Sequence, residues 1–210
     1  MKVAILGTGA VGSALGQRLA AKGHDVVFGS RAPQSGRVQE LLTRCGASAR
    51  AGSPREAVTD AEVVVLALPW QAVPAVLAGV GPLDGRVLID CTNPLRADLS
   101  GIEIGHVSSA AEQIAEWAPQ AKVVKAFNTA SVKAMLDPVF GGSKATMFYC
   151  GDDSQAKEIV GQLIADVGFE PVDAGPLSVS RYLEPLAMLY IHLAIRQGWG
   201  SNCAFKIMKR

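Results

Sequence analysis

The chain has 210 residues, enough for one α/β domain with a small appendage and for a core that buries roughly 70% of the surface exposed by the unfolded form. Hydrophobic residues make up 49% and charged residues 19%, which excludes a disordered chain. Lys and Arg number 20 against 19 Asp and Glu, so the net charge of +1 lacks the basic excess of a dedicated nucleic-acid surface, and no His-rich or Cys-rich tract points to a metal.

Apolar runs rich in Val and Ile alternate with amphipathic stretches from the first residue. Lys2–Gly7 (KVAILG) reads as a continuous apolar strand, and Val11–Lys22 has helical spacing through Val11, Leu15, Leu19 and Ala20, ended by Gly23. Asp25–Gly29 is a second strand, Arg37–Cys45 a helix and Ala47–Ala51 a weak third strand. Ser53-Pro54-Arg55-Glu56 is a helix start, with serine as N-cap, proline at the first position and an acid in the first turn. Glu62–Leu68, Arg86–Asp90 and Lys122–Phe127 are strands separated by helices at Val73–Ala78 and Ser109–Trp117. Thr146–Cys150, a helix over Ser154–Val167, a strand at Glu170–Asp173 and a final long helix from about Ser178 to Gln197 complete the pattern.

Continuous apolar strands alternating with helices predict a mostly parallel sheet covered on both faces, a doubly wound (Rossmann) α/β fold. Residues 1–144 are expected to form the nucleotide-binding domain, and residues 145–210 a smaller C-terminal α/β part that closes the cleft and ends in the long helix. Val63–Leu83 carries no charge over a length that could cross a bilayer, but Pro69, Pro74, Pro82 and Gln71 divide it into strand, turn and short helix, so no membrane association is expected. Cys45, Cys91, Cys150 and Cys203 show no C-x-x-C spacing and read as reduced thiols of a cytoplasmic protein.

The strongest motif is Gly7-Thr8-Gly9-Ala10-Val11-Gly12, a G-x-G-x-x-G that closes the first strand and opens the first helix. Gly7 serves the sharp turn, Gly9 the approach of a pyrophosphate and Gly12 the packing of helix on strand, while the amides and dipole at Ala10–Val11 favour a doubly charged diphosphate. An NAD site places Asp or Glu at the end of the second strand; here Gly29-Ser30-Arg31 stands there, with no acid until Glu40. A hydroxyl and a guanidinium suit a 2′-phosphate, with Arg37 adding positive charge and Thr8 a hydroxyl, so NADP(H) is expected over NAD(H).

Ligands of doubly wound sheets lie beyond the carboxyl ends of the strands. Those ends read Leu68-Pro69-Trp70, Cys91-Thr92-Asn93-Pro94 and Phe127-Asn128-Thr129-Ala130. Asn93 and Asn128 can donate and accept, which suits a nicotinamide carboxamide, and Trp70 either walls that pocket or fills the core. No strand end supplies an evident acid–base pair, activated serine or metal cluster, so no catalytic residue is assigned; hydride transfer between stacked rings relies mainly on positioning. His24 reads as part of a turn, His106 as a loop residue and His192 as a position on the last helix, while Asp152-Asp153 reads as a helix cap.

Together these segments resemble the deazaflavin-dependent NADP oxidoreductases (NADPH:coenzyme F420 reductases) and the related NADPH domain of the STEAP ferric reductases. The resemblance rests on GTGAVGSALG at 7–16, GSR at 29–31, LPW at 68–70, VVKAFNT at 123–129, CGDD at 150–153 and PVDAGPLSVSRYLEPLA at 171–187. It implies NADPH held by Thr8 to Val11, Ser30 and Arg31, with the nicotinamide near Leu68, Asn93 and Asn128–Ala130. It also implies a second redox cofactor stacked on the nicotinamide, coenzyme F420 or a flavin-type acceptor. Archaeal deazaflavin enzymes carry a histidine where Asn128 stands and a lysine in the loop after the Ser-Arg pair, where this chain has Gln34, Ser35 and Arg37.

The expected activity is hydride transfer between NADP(H) and such a small-molecule acceptor. Two other readings are an imine or 2-hydroxy-acid reductase, which usually adds a long helical domain, and an NADPH-sensing protein without turnover. The apolar face formed by Leu183, Leu186, Ala187, Tyr190, Leu193 and Ala194 on the final helix is either intramolecular core or a homodimer contact.

Overall fold

The computed structural model describes residues Met1–Arg210. In chain order, β1 (Lys2–Leu6), α1 (Ala10–Ala21), β2 (Asp25–Gly29), α2 (Gly36–Cys45), β3 (Ala49–Gly52) and α3 (Pro54–Val58) form a first half. Next come β4 (Val63–Leu66), α4 (Val73–Val80), β5 (Val87–Asp90), α5 (Ala110–Trp117) and β6 (Lys122–Lys125). The remainder comprises α6 (Val132–Leu136), the hairpin β7 (Val139–Phe140) and β8 (Ser143–Lys144), then β9 (Thr146–Gly151), α7 (Ser154–Val167), β10 (Glu170–Asp173) and α8 (Ser180–Ile191).

Eight strands make one sheet in the order β3-β2-β1-β4-β5-β6-β9-β10. The first six strands run parallel, and the order reverses between β1 and β4, the switch point at which the carboxyl ends open a crevice. Alternation along the strands divides the core in two. Val3, Ile5, Val63, Val65, Val87 and Ile89 pack under α1, α6 and α7, whereas Ala4, Leu6, Val64, Leu66 and Leu88 pack under α3, α4 and α5.

Direction reverses once within the sheet. β9 runs antiparallel to β6, pairing Val124 with Gly151 and Lys125 with Cys150, so Thr146–Tyr149 projects past the carboxyl end of β6. β10 runs parallel to β9 as the outer strand and carries Pro171. The segment between β10 and α8 is fastened to β9: Gly151 N–H donates to the Gly175 carbonyl, Ala174 N–H to the Tyr149 carbonyl, and Leu177 N–H to Asp152 Oδ1. The D-A-G-P-L run is therefore a structural buckle that sets where α8 begins.

Local signals fare well. Ser53 and Glu56 close a reciprocal capping box, and Asp153 caps α7 by accepting the Ala156 N–H at 2.8 Å. The final helix is regular only to Ile191 and then widens into a π turn over His192–Arg196. Of its predicted apolar face, Leu183, Ala187 and Tyr190 are buried within the chain, while Leu186, Leu193 and Ala194 are half-buried. Two short features, α6 and the β7–β8 hairpin, had no counterpart in the sequence reading. No helix is long and apolar enough to cross a membrane.

Candidate functional site

β1 ends at Leu6, and the chain turns at Gly7 with φ 116°, a region that disfavours a side chain. A Cβ at Gly7 would stand 2.3 Å from the Ala67 carbonyl oxygen, and one at Gly12 would stand 2.1 Å from the Gly7 carbonyl oxygen. Both glycines are thus demanded by backbone packing. Gly9 differs: it is exposed, and nothing lies within 4 Å of where its Cβ would be. It is also the N-cap of α1, and no side chain caps that helix. The first amides of the helix, at Ala10 and Val11, and the positive end of its dipole accordingly lie beside the open space at Gly9. This geometry fits a diphosphate and no protein group competes for it.

Ser30 and Arg31 follow β2, whose end is tied to the loop by the Gly7 N–H donating to the Gly29 carbonyl at 3.2 Å. The Ser30 hydroxyl accepts the Ala32 N–H at 3.2 Å. Arg31 is exposed and joins none of the chain's ion pairs. Arg37, on the first turn of α2, reaches back so that Nη2 donates to the Thr8 carbonyl at 3.2 Å. The structure therefore gathers Thr8, Gly9, Ser30, Arg31 and Arg37 at one corner with two guanidinium groups and no carboxylate bonded to either, a charge pattern that fits a phosphorylated ribose.

Leu68 sits against the loop, its Cδ2 3.2 Å from the Cβ position of Gly7, and Pro69 is exposed at the start of the turn into α4. Trp70 points away, buried in the α4–α5 layer and stacked on Trp117 at 5.3 Å; of its two readings the core one applies. Asn93 and Asn128 meet directly. Asn93 Nδ2 donates to the Asn128 carbonyl at 3.0 Å, and Asn128 Nδ2 donates to Asn93 Oδ1 at 3.1 Å and to the Leu183 carbonyl at 3.0 Å. Two acceptors at one end fix the orientation of the Asn128 amide and leave its buried Oδ1 without a partner. Ala130 borders the same rim, half-buried beside Thr129, whose hydroxyl contacts Met147 of the projecting part of β9.

The remaining candidates stand elsewhere. His24 is buried and bonded through Nε2 to Asp166 of α7 at 3.0 Å, while His106 and His192 are exposed. A surface cavity of about 570 Å³ lies between the C-terminal ends of α4 and α5, lined by Leu77, Leu83, Trp117 and Pro119. It opens at the edge from which the parallel strands start, opposite the crevice.

One constellation escaped the sequence reading altogether. Lys125 closes β6 with its side chain fully buried, and its Nζ donates to Asp90 Oδ2 at 2.8 Å, to Glu184 Oε1 at 2.8 Å and to the Thr92 carbonyl at 2.6 Å. Glu184, on α8, also accepts the Ala110 N–H at 3.0 Å and the Ala111 N–H at 3.2 Å, the uncovered first turn of α5. Burial alone would depress the Lys125 ammonium, but Asp90 and Glu184 outweigh it and hold its pKa above the ordinary value. The Glu184 carboxyl is pushed up by burial, against the pull of Lys125 and the Ala110 amide. A signal existed: two charge-free strand cores end in Asp90 and Lys125, on the same face by the period of two. Just outside, the Arg181 guanidinium forks onto Glu112 at 2.6 to 3.2 Å, and the Ser109 and Ser180 hydroxyls meet at 2.7 Å.

Fold and corner define a class: a doubly wound dinucleotide-binding fold with the β3-β2-β1-β4-β5-β6 order and a glycine loop at its first turn. Residues 2–94 match the family described as NADP oxidoreductase, coenzyme F420-dependent. The F420-dependent NADP reductase of Methanothermobacter marburgensis is 32% identical, with 93% of each chain covered. The rat metalloreductase STEAP3 is 33% identical over 90% of this chain, which spans only 37% of that protein. A crystal structure of a protein from Arthrobacter sp. FB24, described as a putative F420-dependent NADP-reductase, superimposes with a TM-score of 0.90 at 32% identity, covering all of both chains. The chain belongs to the coenzyme F420-dependent NADP oxidoreductase family.

Proposed function

We propose that this protein is an NADP-dependent oxidoreductase that passes hydride between NADP(H) and coenzyme F420. The observation that carries the proposal is the 32% identity to an F420-dependent NADP reductase along 93% of both chains. Neither the imine or 2-hydroxy-acid reductase reading nor a binding-only role gains comparable support. When bound, NADP(H) supplies or accepts the hydride at its nicotinamide ring.

The residues then divide the work. Gly9, Ala10 and Val11 receive the diphosphate through backbone amides, Gly7 and Gly12 shape the turn that presents them, Thr8 lines the same loop, and Ser30, Arg31 and Arg37 bind the 2′-phosphate. Leu68, Pro69, Asn93, Asn128 and Ala130 border the nicotinamide, the two asparagines setting the ring's orientation. No side chain is assigned to proton transfer. Residues 1–144 act as the NADP-binding part, and residues 145–210 close the cofactor cleft, a division supported by the contact of α8 with Asn128.

F420 and a flavin-type acceptor remain alternatives as the small-molecule partner, with F420 preferred on the relatives; nucleic acid has no part in this reading. A cytoplasmic setting is supported by four cysteines that stand unpaired, with Cys91 and Cys150 buried. We extend the proposal to a homodimer through α8, supported by Tyr182 and Leu189, apolar, exposed and seven residues apart on one helical face. Mixing the protein with NADPH and F420, a flavin, a cyclic imine or a 2-oxo acid tests the activity by loss of the reduced nicotinamide absorbance. Rapid loss with F420 is expected; turnover of the imine but not F420 would overturn the reading.

A further inference from the structure

Two adjacent residues of α8 grip the carboxyl rim of the sheet in different ways. The Leu183 carbonyl accepts from Asn128 Nδ2, and the Glu184 carboxylate accepts from Lys125 Nζ. Asn128 is bonded to Asn93, and Lys125 to the carbonyl of Thr92, the residue just before Asn93. A closed ring of contacts therefore runs Asn93, Asn128, Leu183, Glu184, Lys125 and Thr92. Glu184 also holds the amides of Ala110 and Ala111, so one carboxylate governs both ends of the connection from β5 to α5.

We propose that Glu184 is a positioning residue whose grip on Lys125 and on the start of α5 sets the height of the Asn93–Asn128 pair and couples occupancy of the nicotinamide end of the cleft to α8. This rests on the reading that the nicotinamide lies beside those two asparagines. The chemistry favours such a role over a solvated ion pair. All three charged side chains are sealed from water, and two carboxylates share one ammonium, so a small displacement of any member is strongly resisted. A group bound against the asparagines displaces the ring as a unit or is held by it, and the effect is reciprocal.

Two fragments of one ligand separate this proposal from the reading beneath it. NADP⁺ reaches both corners of the cleft, whereas 2′-phospho-ADP-ribose lacks the nicotinamide and reaches only the phosphate loop and the Ser30–Arg31 corner. In the Glu184→Gln variant, which keeps size and an acceptor but removes the charge, 2′-phospho-ADP-ribose should bind within about twofold of wild type. The ratio of the two affinities should shift by roughly fivefold or more, the lower range of measured couplings. In the wild-type protein, hydrogen exchange across residues 180–187 and 109–112 should slow with NADP⁺ and not with the fragment; this second measurement decides the matter if the variant fails to fold. An unchanged ratio, or equal slowing by both ligands, would overturn the positioning role. If wild type binds neither ligand, the cofactor reading itself is what has failed, and the proposal falls with it.

Discussion

Asp90 and Lys125 stand opposite each other on neighbouring parallel strands, Oδ2 and Nζ 2.8 Å apart, with neither side chain reaching solvent. Removing the ammonium leaves two buried carboxylates without their counter-ion. Lys125→Met should therefore cost about 3–5 kcal/mol of stability. Adding Asp90→Asn and Glu184→Gln in the same background should return part of that loss, because the stranded charges are then gone. Urea unfolding measures both; a loss below about 1 kcal/mol for the single change, at the level of an ordinary exposed pair, would show that the cluster is not the buried unit described.

The glycines of the first loop should separate by role. Gly9 has extended backbone, with φ −72° and ψ −173°, and open space around its Cβ position. Gly9→Val should leave stability within about 0.5 kcal/mol while weakening NADPH binding roughly tenfold or more, as a side chain comes between the amides and the diphosphate. Gly12→Ala presses a methyl against the Gly7 carbonyl and should cost about 1–3 kcal/mol before any ligand is added. Thermal melts with and without NADPH read both, and equal stability losses in the two variants would refute the division.

Arg31 has no protein partner to lose, so its replacement isolates its effect on ligand. Charge-assisted hydrogen bonds contribute roughly 1.5–3 kcal/mol each. Arg31→Ala should thus weaken NADPH at least tenfold and leave NADH within about twofold, shown by titrating nicotinamide fluorescence. A loss shared equally by both dinucleotides would assign Arg31 to something other than the 2′-phosphate.

Acid should loosen the seam between α5 and α8. The Arg181 guanidinium holds the Glu112 carboxyl below its ordinary value of 4.5, and a depressed carboxyl stabilises the fold above its unfolded value and loses that contribution as pH falls through the folded one. Glu184, raised by burial, acts in the opposite sense and cannot cause an acid loss. Between about pH 5 and pH 3 the melting temperature of wild type should fall more steeply than that of Glu112→Gln. Parallel slopes would show that this pair carries none of the acid sensitivity.

What could be read in the sequence was what is local or periodic. The strand–glycine loop–helix turn, the capping at Ser53 and Asp153, and the bounds of α7 and β10 depend on residues within a few positions of each other. The strand-end positions of Asn93 and Asn128 were legible, but not the hydrogen bonds that join them, which depend on the register of β5 and β6. The Asp90–Lys125–Glu184 cluster did not, because its members lie 35 and 59 residues apart and only the strand register and the buckle before α8 bring them together. α6 and the β7–β8 hairpin were missed because elements of five and two residues carry too few positions to show a period.

The outer strand of the sheet offers little to a would-be neighbour. β10 is four residues long, Pro171 deprives it of one amide, and Glu170 and Asp173 carry ion pairs to Lys206 and Lys157 along it, so a strand arriving at that border meets a missing donor and charged side chains. At the opposite border β3 is equally brief. Copies of this protein are thereby steered away from backbone zippering into fibrils, and any partnership they form must be made side chain to side chain.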